Sequence, residues 1–402
     1  MNNSQIFDKS HNNILTTRIT LVLLVIFLTI YGSGEFKVPS FSINVAVKYI
    51  ILTFGLFFSV FFIKVKKFSI IKLDIISQLL LIHLLYNTII IVLNSSDNYV
   101  LSYFTYVFAF LGYLWGSNSL IDKKTFKIFL SSFYYILIIQ TLFTVYIVSH
   151  SVVDMYLFKN GIVIPIGASN GITTFIVMIF PILYKLSNSR TSQYFLTIFT
   201  MIFAVLSRSN SGLLTIIAII LILFMQEKKY KLIRGILIFL IFLLFLYLIG
   251  KYSPGYLSRF SSTLQSLITD QSTNQTKAMN GRIEVFHSAL YHIKNHFFIG
   301  NGFGYRERMP SYLMTHNWLL EYLITGGIIS FLLKIFIFIL QFLKLVTVKN
   351  NALKQGLIIS FVFVLIQGLV EPSFGSPLFE LIFALIIGFG TNTLYEEKNI
   401  YD

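Results

Sequence analysis

The chain has 402 residues, 56% hydrophobic and only 12% charged, with a mean hydropathy of +0.78. Soluble domains carry about a quarter of their residues as charges, so an ordinary soluble fold is excluded and an integral membrane protein is expected. Cysteine is absent, which removes disulfides, thiolate metal sites and thiol nucleophiles, and leaves a net charge of +15 to be explained.

In chain order, apolar runs near 19–33, 43–63, 73–93, 100–121, 126–149, 165–186, 192–206, 210–226, 231–250, 316–343, 353–370 and 377–394 are each candidates to cross about 30 Å of hydrocarbon. They predict an all-α, polytopic fold of about twelve transmembrane helices in a single domain spanning 1–402. The first run follows Lys9 and Arg18 and ends at Gly32-Ser33-Gly34, as a signal peptide would. A retained first helix fits a polytopic chain better. The abundance of Ile, Asn, Lys, Phe and Tyr hints at an AT-rich bacterial genome.

The basic residues sort by side. Lys64, Lys66, Lys67 and Lys72, then Lys123, Lys124 and Lys127, then Lys185 and Arg190, Lys228, Lys229, Lys231 and Arg234, and Lys344, Lys349 and Lys354 all fall in alternate connections. The short loops of the other side hold only Lys37, Lys159 and Arg208. That asymmetry predicts cytoplasmic termini and a large external loop, 251–315, between the ninth and tenth helices. It also makes the +15 charge a topology signal, with no nucleic acid as partner.

The long loop predicts two short amphipathic helices lying over the outer membrane face. One carries Leu257, Phe260, Leu264 and Leu267, the other Ile283, Phe286, Leu290, Ile293 and Phe297, with Asp270–Thr276 as a linker between them. Asn280-Gly281 reads as the start of the second, placing Arg282 in its first turn beside backbone N–H groups that favour an anion. Arg282 therefore reads either as an anion site or as a residue that caps the loop or meets lipid headgroups. The loop's seven basic residues (Lys251, Arg259, Lys277, Arg282, Lys294, Arg306, Arg308) outnumber Asp270, Glu284 and Glu307, a net +4 that suits an anionic ligand.

Four of the seven histidines, His287, His292, His296 and His316, lie here. His292 and His296 share a helical spacing but lack the acidic residue of a His-Glu-x-x-His zinc site, so no metal and no cofactor are expected. His316 opens an apolar helix at the water boundary, where it can act as a base toward a sugar hydroxyl or simply cap the helix with Asn317. Arg208 occupies a tight outward turn, Ser207-Arg208-Ser209-Asn210-Ser211-Gly212, and needs an anion or a carboxylate; Glu321 and Glu380 are candidates. Glu321 stands one and a half turns below His316 and faces away from it on an ideal helix. Lys48 and Lys334 are expected to snorkel or pair, and Gly300-Asn301-Gly302-Phe303-Gly304 reads as a turn.

These residues resemble the superfamily of O-antigen ligases and polysaccharide polymerases, bacterial membrane glycosyltransferases. The resemblance covers chiefly 165–335. It rests on Gly167-Ala168-Ser169-Asn170-Gly171 entering a helix, the Ser207-Arg208-Ser209 turn, Gly281-Arg282, the Gly300–Gly304 turn, and His316-Asn317 followed by Glu321 and Gly326-Gly327. Where the family often has Trp shortly after the loop Arg, this chain has Phe286 or His287.

What the resemblance implies is a GT-C-like enzyme of the bacterial cytoplasmic membrane: metal-independent, inverting, and fed by an undecaprenyl-pyrophosphate-linked glycan donor at the outer face. Arg208 and Arg282 would bind the pyrophosphate, His316 would activate the acceptor hydroxyl, and Asn170, Tyr312 and Asn317 would contact substrate. Capsule, exopolysaccharide or O-antigen would be the product, with membrane lipids, a chain-length regulator and a flippase as partners. A polymerase would use another lipid-linked repeat as acceptor, and a ligase a terminal acceptor. A lipid-linked oligosaccharide flippase is the rival of another class, but it would place its polar site near mid-membrane between repeated halves. A non-catalytic assembly partner is a third reading.

Overall fold

The computed structural model describes residues 50–57, 73–93, 100–119, 121–150, 169–207, 209–226, 240, 243, 247, 274–303, 305, 315–347, 351–371 and 373–401. Among them the structure is helical, with no strand. Ten helices are α1 (Ile75–Leu93), α2 (Val100–Asn118), α3 (Lys123–His150), α4 (Ser169–Leu186), α5 (Arg190–Leu206), α6 (Asn210–Met225), α7 (Asn274–Asn295), α8 (Trp318–Val346), α9 (Ala352–Gln367) and α10 (Pro377–Tyr401). Nine of them fall on the runs expected from hydropathy near 73–93 to 210–226 and 316–343 to 377–394. The run near 19–33, most of the runs near 231–250 and 43–63, Lys48 and the first amphipathic loop helix lie outside the described residues.

Among the described residues, two helices are long and apolar enough to cross a membrane on their own, Ile75–Leu93 and Trp318–Val346. Their outward faces are apolar: Ile82, Leu85, Ile89, Leu332, Phe336 and Ile339 are all exposed. Backbone groups facing lipid must be satisfied internally, and helices do that.

The tightest pairing is α2 on α10, where small residues replace side-chain layers. A Cβ at Gly116 would come within 2.9 Å of Leu385 O, and one at Gly388 within 2.9 Å of Ser117 N. Such close backbone approach is how helices associate where burial from water supplies no driving force. α4 packs on α9, with Ser360 Oγ donating to Met178 O at 2.5 Å one turn before Pro181.

Two lysines of α8 pair with carboxylates outside that helix. Lys334 Nζ of α8 meets Glu380 Oε1 of α10 at 2.7 Å, and Tyr322 donates to the same oxygen at 2.8 Å. At the far end of α8, Lys344 Nζ lies 2.8 Å from Asp74 Oδ2, just ahead of α1. Burial pushes the Asp74 carboxyl up, but Lys344 and the Ser77 N–H and hydroxyl outweigh it and hold the group below its usual value.

α8 is broken. Gly327 has φ 66° and ψ −167°, outside helical space. Residues 328–346 alone rise about 28 Å, while the whole of α9 rises about 24 Å at about 1.5 Å per residue. Yet the start of α8 meets the end of α9, since the Trp318 N–H donates to Gly368 O at 3.1 Å and the Trp318 indole donates to Leu365 O at 3.1 Å. The segment before the break therefore turns across the end of the bundle and does not extend the helix axis.

Candidate functional site

The turn around Arg208 is built from capping serines. Ser207 is the C-cap of α5, and Ser209 is the N-cap of α6, its hydroxyl accepting from Gly212 N at 3.1 Å. Both serines are buried. Arg208 itself lies outside the described residues, as do Tyr312, Arg306 and Arg308. Below the turn, Ser211 Oγ donates to Glu371 Oε1 at 2.9 Å, and Gln367 Nε2 approaches Ser211 Oγ at 3.3 Å. Glu371 and Gln367 are buried at the end of α9.

Glu380 serves Lys334 and Tyr322, and the pairing of Arg208 with Glu321 or Glu380 expected from sequence lies outside the described residues. Glu371 was missed. It sits in Val370-Glu371-Pro372, outside any periodic apolar run, and its partner Ser211 is 160 residues away.

Arg282 lies on α7, but not in its first turn. The helix starts at Asn274, six residues before the expected start at Asn280-Gly281, so the linker expected over 270–276 is helical from Asn274 onward. Gln275–Met279 are helix-compatible residues that carry the helix through Gly281, whose cost of about 1 kcal/mol is too small to stop it. Arg282 thus stands in the third turn, away from the free N–H groups of the helix start. Val285, Ala289 and Ile293 of α7 pack on Leu320 and Ile324 of α8, with Tyr305 completing the cluster.

The turn after α7 plugs the break in α8. Asn301 N donates to Ile324 O at 2.6 Å, Gly302 N to Thr325 O at 2.9 Å, and Ile328 N donates back to Phe297 O at 2.8 Å. The Tyr86 hydroxyl takes Gly326 O at 2.8 Å. Every backbone group named here that the break leaves without a helical partner finds another. Gly300 and Gly302, at φ 78° and 72°, make the turn that sequence led us to expect.

His316 is the one described non-glycine residue with positive φ, at 53°. A side chain held in the left-handed region costs about 1–3 kcal/mol and persists only where its surroundings fix it. Asn317 follows as the N-cap of α8, its Oδ1 accepting from Leu319 N at 2.9 Å and Leu320 N at 3.4 Å. Asn317 is thus occupied by the helix, a duty that competes with contacting substrate. Asn170 lies in the first turn of α4.

Glu321 is not turned away from this corner. Its Oε2 accepts from Tyr305 at 2.5 Å and from Thr315 Oγ1 at 3.1 Å. The Glu321 side chain also lines a small pocket with Tyr106, Phe303, Tyr305, Tyr322 and Phe374.

The elements carrying the candidate residues converge. The start of α8, with His316, rests on Gly368, and the same α9 end receives Ser211 beside Arg208 through Gln367 and Glu371. α7, with Arg282, packs on the first half of α8. Residues 194–335 match the family model described as O-antigen ligase. This segment is an O-antigen ligase family domain. The match supports the resemblance to the O-antigen ligase and polymerase superfamily, whose members are membrane, glycosyltransferase-like enzymes. No curated protein matches the chain. The family match runs from α5 through the plugged break of α8, and so takes in the Arg208 turn, α7 and His316.

Proposed function

We propose that this protein is a polysaccharide polymerase that joins polyprenyl-pyrophosphate-linked repeat units at the outer face of the cytoplasmic membrane. His316 takes the proton of an acceptor hydroxyl as its oxygen attacks the anomeric carbon. The bond from that carbon to the phosphate oxygen breaks, and the pyrophosphate leaves with the electron pair and a negative charge. Arg208 and Arg282 supply bidentate donors that stabilise that charge. Attack opposite the leaving group inverts the configuration.

One observation carries the reading: a strained His316 sits at a corner fixed to the same α9 end that supports the Arg208 turn. Strain of this kind gathers where a side chain must be held for chemistry. A second reading, transfer to a terminal acceptor, has the description of the matched family in its favour. Purified protein incubated with lipid-linked repeat units separates them. A ladder of products marks a polymerase and a single transfer to another acceptor marks a ligase, while relocation across a vesicle without new bonds would mark a flippase and overturn both.

A further inference from the structure

The His316 corner is closed by one carboxylate. The Thr315 hydroxyl lies 3.1 Å from both Glu321 Oε2 and Asn317 O, and accepts the Asn317 N–H at 3.4 Å. Thr315 and Asn317 flank His316, so a group that fixes the Thr315 hydroxyl fixes the backbone on both sides of the left-handed residue. The same Oε2 accepts from Tyr305, a bond at the short end expected for a hydroxyl on an ionised carboxylate. Tyr305 is buried against Val285, Ala289 and Ile293 of α7, the helix that bears Arg282.

We infer that Glu321 is a positioning residue: its carboxylate clamps the end of the long loop, through Tyr305, to the His316 corner, through Thr315. It thereby sets both the left-handed conformation of His316 and the placement of α7 relative to it. The catalytic part of this inference rests on His316 acting as the base; the clamp itself does not.

The physical reason for a carboxylate is its capacity. Ionised, it accepts from several donors at once, whereas an amide offers a single, weaker acceptor oxygen. Glu321→Gln should therefore loosen the corner partly and Glu321→Ala fully. Thr315→Val removes only the arm to His316 and leaves the Tyr305 arm in place, which keeps the test open if Glu321→Ala fails to fold.

The test uses the full-length protein in detergent and two readouts. Carbethoxylation of histidines by diethyl pyrocarbonate, followed by mass spectrometry, reports His316 against the exposed His287 and His296. The expected result is a change in the His316 rate of about tenfold in Glu321→Ala and Thr315→Val, the scale of one charge-assisted hydrogen bond. His287 and His296 should keep their rates. Turnover of lipid-linked repeat units should fall by a similar factor, with retained binding of undecaprenyl pyrophosphate. In a His316→Ala background, Thr315→Val should lower turnover no further.

Unchanged His316 reactivity in both variants would overturn the clamp, as would a Thr315→Val effect on turnover that survives in the His316→Ala background. If His316 reactivity responds while the wild-type protein forms no glycosidic bond, the clamp stands and the proposed function fails.

Discussion

Gly300 and Gly327 meet backbone to backbone: a Cβ on Gly300 would fall 2.4 Å from Gly327 N, and one on Gly327 would fall 2.7 Å from Gly300 N and 2.3 Å from Phe298 O. Both also have positive φ, so either residue bearing a side chain meets strain and a clash together. Gly300→Ala or Gly327→Ala should each cost about 3 kcal/mol or more by unseating the turn from the α8 break. Gly55→Ala, where a Cβ meets nothing within 4 Å, is the control. Thermal unfolding in detergent checks this; wild-type midpoints in both variants would mean the plug is dispensable.

The Lys334–Glu380 pair is nearly inaccessible on both sides, at 3% and 1% side-chain exposure. Removing one charge leaves the other uncompensated, which typically costs about 3–5 kcal/mol, whereas replacing both by apolar residues of similar volume is often neutral. Glu380→Gln should lower the unfolding midpoint markedly, and Lys334→Met with Glu380→Leu should recover most of it. A double variant no better than the single one would show that Tyr322, which also donates to Glu380, depends on the carboxylate.

Hydropathy made α1 to α6 and α8 to α10 legible because each is a continuous apolar run, and pairing was one of the two outcomes, with snorkelling, that the cost of a lone charge left open for Lys334. The break at Gly327 was not legible. Gly326-Gly327 inside an apolar stretch looks like small-residue packing, and only the N–H groups of Asn301 and Gly302, more than twenty residues earlier, let the helix open there. Asn280-Gly281 looked like a helix start because local capping chemistry cannot show that the preceding turns are also helical. His316 was visible as a boundary residue, but its left-handed backbone is set by Thr315 and Glu321 together. Glu321 seemed misdirected because a carboxylate on an ideal helix was judged by its Cα, without the reach of its side chain back past the N-cap.

Arg208→Lys and Arg282→Lys should each retain less than about a tenth of the activity, since a point charge cannot reproduce a fork on two phosphate oxygens and a loss of about 1.4 kcal/mol suffices for that factor. Lys294→Met, at an exposed position on the last turn of α7, should be tolerated. Initial rates on lipid-linked repeat units decide it. Equal losses in all three would make the loop's cations a general electrostatic surface and dissolve the assignment.

The asymmetry of Lys and Arg predicts that the loop at 251–315 lies outside and the connection at Lys124 inside. Because the chain has no cysteine, single substitutions Ser272→Cys and Lys124→Cys give a clean test with an impermeant maleimide on intact cells. Position 272 should label and position 124 should label only after permeabilisation. The reverse pattern would place His316 on the cytoplasmic side, away from any external acceptor.

His316→Ala separates chemistry from architecture. If the imidazole is the base, the variant remains folded and binds undecaprenyl pyrophosphate, while turnover falls by about 10²–10⁴, the usual worth of a positioned base. The left-handed position makes a second substitution informative: His316→Gly relieves the backbone strain and removes the base at once, so it should unfold no more readily than wild type and still be inactive. His292→Ala should change little, and EDTA should not inhibit, because no metal takes part in the proposed step. Wild-type turnover in His316→Ala would leave the residue as a corner of the α8 cap, with bond formation resting on the arginines alone.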